Sequence, residues 1–422
     1  MAKVENRIYF CIDMKSFFAS VECVERGLSP FDANLVVADQ SRGDGAICLA
    51  VSPKMKALGV SNRCRIFQIP KNIDYIIAKP RMKKYIEYAA DIYEIYLKYL
   101  SPEDIHVYSI DESFIDATDY LNVNKISAKE FAKKLMDEIA VKTGIPATAG
   151  IGTNLYLAKI ALDITAKKVP DHIGYLDEQT FCKTLWNHTP ITDFWGISKG
   201  TQRRLQKMYI TDMQGITLCS EKKLYKEFGI NAELLIDHAY GRESCTMADI
   251  KKYKSKSKSL NNSQILFTDY QYLPAKLVFE EMLLGLCQQL IKERLIAGGI
   301  SVGVGYSKDV ILPTGGSAKM PRATNVFSYI KEQGDKLFEK FTDKNAPIRK
   351  ISISLYNLAD ESAEGFDLFT DVEKETREKE LERTVISIKE KFGKNAILRG
   401  MDLQENATAI QRNKLVGGHN GE

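Results

Sequence analysis

The sequence predicts a multidomain α+β protein, on three observations. The chain has 422 residues, enough for two to four domains of about 100–200 residues. Residues 1–174 mix short apolar strands with amphipathic helices, the pattern of a sheet with helices on one face. Residues 260–358 follow a strand–helix–strand–strand–helix–strand order, after a helical stretch at 175–247 cut by glycines.

The elements follow in order. "RIYFCID" (7–13) reads as a buried strand, and Ser16 is placed to cap a helix running to about Arg26. Residues 27–78 hold short apolar runs broken by Gly, Pro, Asn and Asp, which predicts a small α/β subdomain. A long helix spans 81–100, with Tyr85, Ala89, Ile92, Tyr96 and Leu100 on one face. "IHVYSI-DE-SFIDAT" reads as a hairpin. Ser127 and Glu130 form a capping-box pattern for a helix to Thr143. "ATAGIG" is a strand and "NLYLAKIALDIT" a helix. "KKYKSKSKS" (251–259) lacks apolar periodicity and reads as a basic linker. After Ala359 an acidic tail is expected, with one helical stretch at 371–392.

Composition narrows the function classes. No run of about 18 apolar residues occurs, so no membrane span is expected, and the N-terminus lacks a signal-peptide core. Eight cysteines are scattered without a C-x-x-C pair, which argues against a zinc site or a disulfide framework. Most lie in apolar runs and read as core residues of a reducing compartment. The net charge is +4, yet residues 251–358 hold 17 Lys/Arg against 9 Asp/Glu, and 359–422 hold 10 against 14. A basic module on a neutral body suits a polyanionic partner or a solvated lysine-rich surface.

The carboxylates carry the sharper signal. Asp13 ends the first strand, and Asp111 and Glu112 sit side by side at a hairpin tip. Gathered in an apolar setting, three such groups would repel and resist ionising. Divalent cations remove that cost: magnesium takes oxygen ligands at about 2.1 Å, and two ions about 3.5–4 Å apart clamp a phosphoryl transfer. The structural alternative is that Asp111 and Glu112 are turn residues and Asp13 caps the next helix.

"CIDMKSFFASVE" and "YSIDESF", in this order and separation, resemble the signature motifs of the Y-family, translesion DNA polymerases, and most closely the bacterial UmuC/ImpB/MucB/SamB group. The resemblance covers nearly the whole chain. It implies a right-hand polymerase: a ferredoxin-like palm (1–26 and 79–174), small fingers (27–78), a helical thumb with a helix–hairpin–helix (175–247), a basic linker (248–259) and an α+β little finger (260–358). The implied activity is low-fidelity, template-directed nucleotidyl transfer from a dNTP to a primer 3′-hydroxyl, in translesion synthesis, DNA repair and SOS mutagenesis. The implied location is the bacterial cytoplasm, at the nucleoid.

The resemblance also implies roles. Asp13 and Asp111 bind both of two Mg2+ ions, Glu112 binds the ion serving the primer hydroxyl, and the Met14 backbone carbonyl is a further ligand. Phe17 and Phe18 lie at the nucleotide site, where one can join the core, and Phe18 is an aromatic steric gate under the sugar. Lys159 in "NLYLAKIA" contacts the triphosphate, as does Lys56 in "AVSPKMKALGV", where Ser52-Pro53 replaces the family's usual asparagine pair. In "FWGISKGTQRRL", Gly196 and Gly200 frame a phosphate-binding turn beside Arg203. Lys256, Lys258, Lys319 and Arg322 are candidate DNA-backbone contacts that carry no sequence preference. "EGFDLF" (364–369) resembles a sliding-clamp motif, with Phe366, Leu368 and Phe369 as apolar anchors and no glutamine. Primer–template DNA, dNTP, the sliding clamp and accessory subunits are thus the partner classes. Two other readings are a catalytically silent clamp- and DNA-binding regulator, and a nucleotidyl cyclase with a similar palm. The intact acids argue against the first; the basic C-terminal module and the glycine-framed turn argue against the second.

Overall fold

The structure is a computed structural model that describes residues 7–254, 258–307, 310–368 and 370–421. The chain divides into two compact units: Met1–Tyr253 with His419–Glu422, and Lys254–Gly418. Lys256 and Phe369, both candidate site residues, lie outside the described residues.

The first unit begins with β1 (Tyr9–Met14), α1 (Phe17–Val24), β2 (Leu35–Val37), β3 (Ala50–Val51), α2 (Pro53–Ala57) and β4 (Ile76–Ala78). It continues through α3 (Met82–Leu97), β5 (Ile105–Val107), β6 (Glu112–Asp116), α4 (Thr118–Asn124), α5 (Ala128–Thr143), β7 (Ala147–Gly152), α6 (Leu155–Ile160) and β8 (Ile173–Leu176). Six helices follow: α7 (Glu178–Leu185), α8 (Lys199–Lys207), α9 (Met213–Leu218), α10 (Glu221–Phe228), α11 (Asn231–Ala239) and α12 (Met247–Lys252). The main sheet has the order β5-β6-β1-β7-β8, and a small sheet in residues 35–78 has the order β3-β2-β4.

The central strand β1 explains the sheet. Phe10 packs edge-on against Phe131 of α5, with ring centroids 5.9 Å apart. Its neighbour Cys11 points the other way, into a cluster with Phe114 and with Leu155, Ala158 and Leu162. Helices therefore cover both faces, not the one face expected, and the uninterrupted apolar run of β1 is the sequence mark of that double burial. Gly150 and Gly152 of β7 permit the close fit of α6. A Cβ at either position would lie 2.1–2.2 Å from the backbone of Ala158.

Local signals formed as their chemistry dictates in several places. Ser127 and Glu130 make the reciprocal capping box of α5. Tyr85, Ile92 and Tyr96 are the buried stripe of α3. Ser16 does not cap α1 as expected: it sits at φ 50° with no side-chain cap bond. Ser20 Oγ instead donates to the Lys15 carbonyl at 2.6 Å.

The second unit contains β9 (Ser259–Tyr270), α13 (Tyr272–Glu293), β10 (Leu295–Tyr306), β11 (Thr314–Thr324), α14 (Phe327–Phe341) and β12 (Ile348–Asp360). Its sheet runs β11-β10-β12-β9, and Phe279, Leu283 and Phe338 pack against Ile300, Ile353 and Leu355 in its core. The linker is shorter than expected, because a Thr246/Asp249 capping box starts α12 and Met247 packs into the first unit's core. The helix expected at 371–392 forms as α15 (Val372–Phe392) and packs along α13, and α16 (Ala409–Asn413) follows it. Glu281 of α13, 2% exposed, accepts from the backbone N–H groups of Thr408 and Ala409 at 3.0 and 3.1 Å. The last residues close on the first unit, where the Gly421 carbonyl accepts from Lys83 N at 3.0 Å at the start of α3.

Candidate active site

Asp13 and Glu112 are paired across the β1–β6 ladder, and directly opposite residues of an antiparallel pair share a face. Asp111 adjoins them in the turn before β6, where its carbonyl accepts from Met14 N at 2.9 Å. Asp13 and the distant Asp111–Glu112 pair thus meet at the C-terminal end of the central strand, on the face covered by α6.

Each carboxylate has a different environment. Glu112 is buried; its Oε2 accepts from Lys159 Nζ at 2.9 Å and its Oε1 from Cys11 Sγ at 3.0 Å. Asp111 Oδ1 accepts from Ser109 Oγ at 2.6 Å. The Asp13 carboxylate has no hydrogen-bond or ion-pair partner among the described residues. Burial, then the charges of Asp111 and Glu112, push its pKa up to about 7, with Lys159 pulling the other way. Among the described residues no three His, Cys, Asp or Glu side chains are arranged to hold a metal ion; both Glu112 oxygens are occupied by Lys159 and Cys11. The donor set nevertheless fits a hard cation. It offers carboxylate oxygens only, crowded enough to make the ionisation of Asp13 harder, and a divalent ion removes that penalty.

Lys159, the expected triphosphate contact, rests on acidic side chains in this structure. Its amine, 8% exposed, lies on Glu112 and within 3.2–3.3 Å of Asp163 one wide helical turn on. Burial lowers its pKa, but Asp163, Cys11 and Glu112 raise it further, so the amine stays charged. A cavity of about 670 Å3 opens beside Asp13, lined by Lys15, Pro53, Lys56, Asp163, Lys167 and His172 among others. Lys56 is where the motif placed it, and burial lowers its pKa. Lys15, Lys167 and His172 were missed; lysines three residues from Pro or two from Asp carry no readable signal alone. The Ser52-Pro53 substitution has a local cause: Ser52 Oγ caps α2 by accepting from Met55 N at 3.3 Å, and Pro53 takes the first helical position.

Phe17 is 2% exposed and in the core, whereas Phe18 is half-buried and stacks on Tyr85 at 4.5 Å. Tyr85 is held in turn, its hydroxyl donating to Glu22 Oε1 at 2.8 Å. Arg81 pairs with Glu22 at 3.0 Å, and Arg26 also binds it. The gate candidate thus rests on a buried, charged brace.

The DNA-contact candidates scatter. Gly196 has φ +88°, a left-handed conformation that favours glycine, and Gly200 lies in the first turn of α8, which Ser198 caps. Arg203 is exposed, with Nε donating to the Lys199 carbonyl at 3.2 Å. Lys258 and Lys319 are exposed. Arg322 is a correction: its side chain is 10% exposed, ion-paired with Glu375 and stacked on Tyr329 at 4.4 Å, so it is not free for phosphate. Phe366 and Leu368 are exposed, at 51% and 99%.

Residues 12–163 match the impB/mucB/samB family, and residues 257–368 match that family's C-terminal domain. The UV-damage repair protein UvrX of Bacillus subtilis is 32% identical over 97% of this chain and 96% of its own. The chain belongs to the Y-family DNA polymerases, in the impB/mucB/samB group. Another relative, DNA polymerase IV 2 of Halalkalibacterium halodurans, is 29% identical over 98% of this chain and 99% of its own. A Y-family DNA polymerase chimera of Dbh and Dpo4 shares the fold, with a TM-score of 0.62 at 22% identity over 84% of this chain and 99% of its own. No helix among the described residues of this Y-family member is long and apolar enough to cross a membrane.

Proposed function

We propose that this chain is a translesion DNA polymerase that transfers a nucleotide from dNTP to a primer 3′-hydroxyl on a template, using two magnesium ions. The observation that carries the reading is the pairing of Asp13 with Glu112, beside Asp111, in a chain of this family. Asp13, Asp111, Glu112 and the Met14 carbonyl would hold the ions. A bound divalent ion lowers the pKa of the primer hydroxyl and neutralises charge on the phosphates.

The chain's own residues do the rest. Lys15, Lys56 and Lys167 line the cavity beside Asp13 and offer positive charge to a triphosphate. Lys159 fixes the orientation of Glu112. Phe18 packs under the sugar, backed by Tyr85. In domain terms, the five-stranded sheet serves as palm, residues 27–78 as fingers, α7–α11 as thumb and the second unit as little finger. Gly196, Gly200, Arg203, Lys258 and Lys319 would meet the DNA backbone. A DNA polymerase works where the chromosome lies, so the proposed location is the bacterial cytoplasm.

Primer extension by the purified chain on undamaged and abasic templates tests the reading. Magnesium-dependent extension on both supports it; binding of DNA without any extension would favour a regulatory role. Phe18→Ala is expected to reduce discrimination against ribonucleotides by about 10–200-fold, the range a contact of this size supplies. Unchanged sugar selectivity would place the gate elsewhere.

The exposed Phe366–Leu368 segment is proposed to dock in the apolar groove of the sliding clamp. Two anchors from an accessible segment are enough for such a site. Leu368→Ala should lower clamp-stimulated synthesis about tenfold, equivalent to about 1.4 kcal/mol of binding, and leave clamp-free synthesis unchanged. Undiminished stimulation would remove this assignment.

A further inference from the structure

Outside the carboxylate site, Ile47 and Arg65 form an isolated antiparallel bridge. In that register Cys48 faces Cys64, and Cys48 N donates to the Cys64 carbonyl at 2.8 Å, while Cys64 N donates to the Ser61 carbonyl at 3.4 Å. Opposed antiparallel residues have Cα atoms about 4.5–5.5 Å apart, within the about 4.4–6.8 Å that disulfides span. The thiols already interact with one another. Both cysteines are free, Cys48 fully buried and Cys64 partly exposed. The chain between them carries α2 and Lys56.

We propose that Cys48 and Cys64 are a redox-sensitive pair, converted by a peroxide into an intrachain disulfide that clamps the segment bearing Lys56. Cys64 is the accessible thiol. Its sulfur attacks the peroxide, the O–O bond breaks, and Cys64 becomes a sulfenic acid while hydrogen peroxide yields water. Cys48 sulfur then attacks the Cys64 sulfur; an S–S bond forms, the S–O bond breaks, and hydroxide leaves with the Cys48 proton as a second water. In total two thiols lose two electrons and two protons, and one peroxide takes them up. Cys48 is buried beside Cys64 and its thiol is pushed up to about 12, so peroxide meets Cys64 first; Cys48 gives up its proton to the departing hydroxide as its sulfur attacks. The alternative end point for an isolated accessible thiol is further oxidation to a sulfinic acid, and the adjacent Cys48 diverts Cys64 from it.

The test is treatment of the full native chain with hydrogen peroxide, alkylation of the remaining thiols, and non-reducing peptide mapping by mass spectrometry. The expected result is a native mass lower by about 2 Da, a cross-linked peptide pair joining Cys48 to Cys64, and reversal by dithiothreitol. Cys64→Ser, at a partly exposed position, should abolish the link. Limited trypsin cleavage after Lys54 and Lys56 should slow at least about fivefold in the oxidised chain, since closing a loop restrains local opening. Eight unmodified thiols, a linkage elsewhere, or sulfinic acid on Cys64 without the link would overturn the pair. A link that leaves the cleavage rate unchanged would overturn the clamp.

Discussion

Asp111→Ala and Glu112→Ala should each lower primer extension on the order of 10^3-fold or more, while affinity for primer–template DNA is retained. A metal clamp supplies several kcal/mol of charge stabilisation, and each 1.36 kcal/mol is tenfold in rate. The two changes act at different depths. The Asp111 carboxylate bonds locally, to Ser109, so its removal disturbs little else. Removing the Glu112 carboxylate also leaves the Lys159 amine without its 2.9 Å partner, with Asp163 alone to balance it. Glu112→Gln keeps the shape and the hydrogen-bonding capacity, and separates loss of charge from loss of packing. Single-turnover incorporation and a gel-shift titration, run on the same preparations, check the result. Extension that survives either alanine change would remove the metal assignment.

The second large effect is on stability. Glu22 is completely buried on α1, and Arg81, Arg26 and Tyr85 all converge on its carboxylate. Glu22→Ala removes the acceptor of this set and leaves Arg81 and Arg26, each about a third exposed, without it, at a cost of about 1–3 kcal/mol. For a unit of this size Glu22→Ala should therefore lower the first thermal transition by roughly 5 °C. Burial alone would raise the Glu22 pKa, but Arg81, Arg26 and Tyr85 outweigh it and hold the group below its ordinary 4.5. Its contribution is thus fully present at neutral pH and is lost as pH falls through the folded-state value. Differential scanning calorimetry from pH 7 downward should show the gap between wild type and Glu22→Gln narrowing in acid. A gap that widens in acid would contradict the network. Because Tyr85 backs Phe18, Glu22→Gln should also loosen sugar selection, which links the brace to the proposed gate.

What the sequence made legible was local and apolar. Seven consecutive residues, "RIYFCID", announced a buried strand, and Ser127 with Glu130 announced the start of α5. The hairpin at 105–116 was readable because turn residues separate two apolar runs. The carboxylate site was readable only through paired motifs, since no periodicity reports that Asp13 faces Glu112. Long-range polar chemistry was hidden. The Lys159–Glu112 contact at 2.9 Å was not legible, because it needs α6 to lie close against β7, which Gly150 and Gly152 permit. Arg322 read as a DNA contact from its charge, yet Glu375, 53 positions on, buries it. The helix at 371–392 was legible, but the packing of its acids was hidden for the same reason. Glu382 is 1% exposed, bonded to Gln288 at 2.8 Å and to Arg399, so its polarity belongs to a core and not to a solvated surface.

The central claim concerns cations, and it is best met by counting them. Manganese binding to the full chain, in complex with primer–template and a non-hydrolysable dNTP analogue, can be titrated by electron paramagnetic resonance. Two ions per wild-type chain, with at least one lost in Asp13→Asn, is the expected result. The same stoichiometry and affinity in both proteins would mean that Asp13 holds no metal, and would contradict the account.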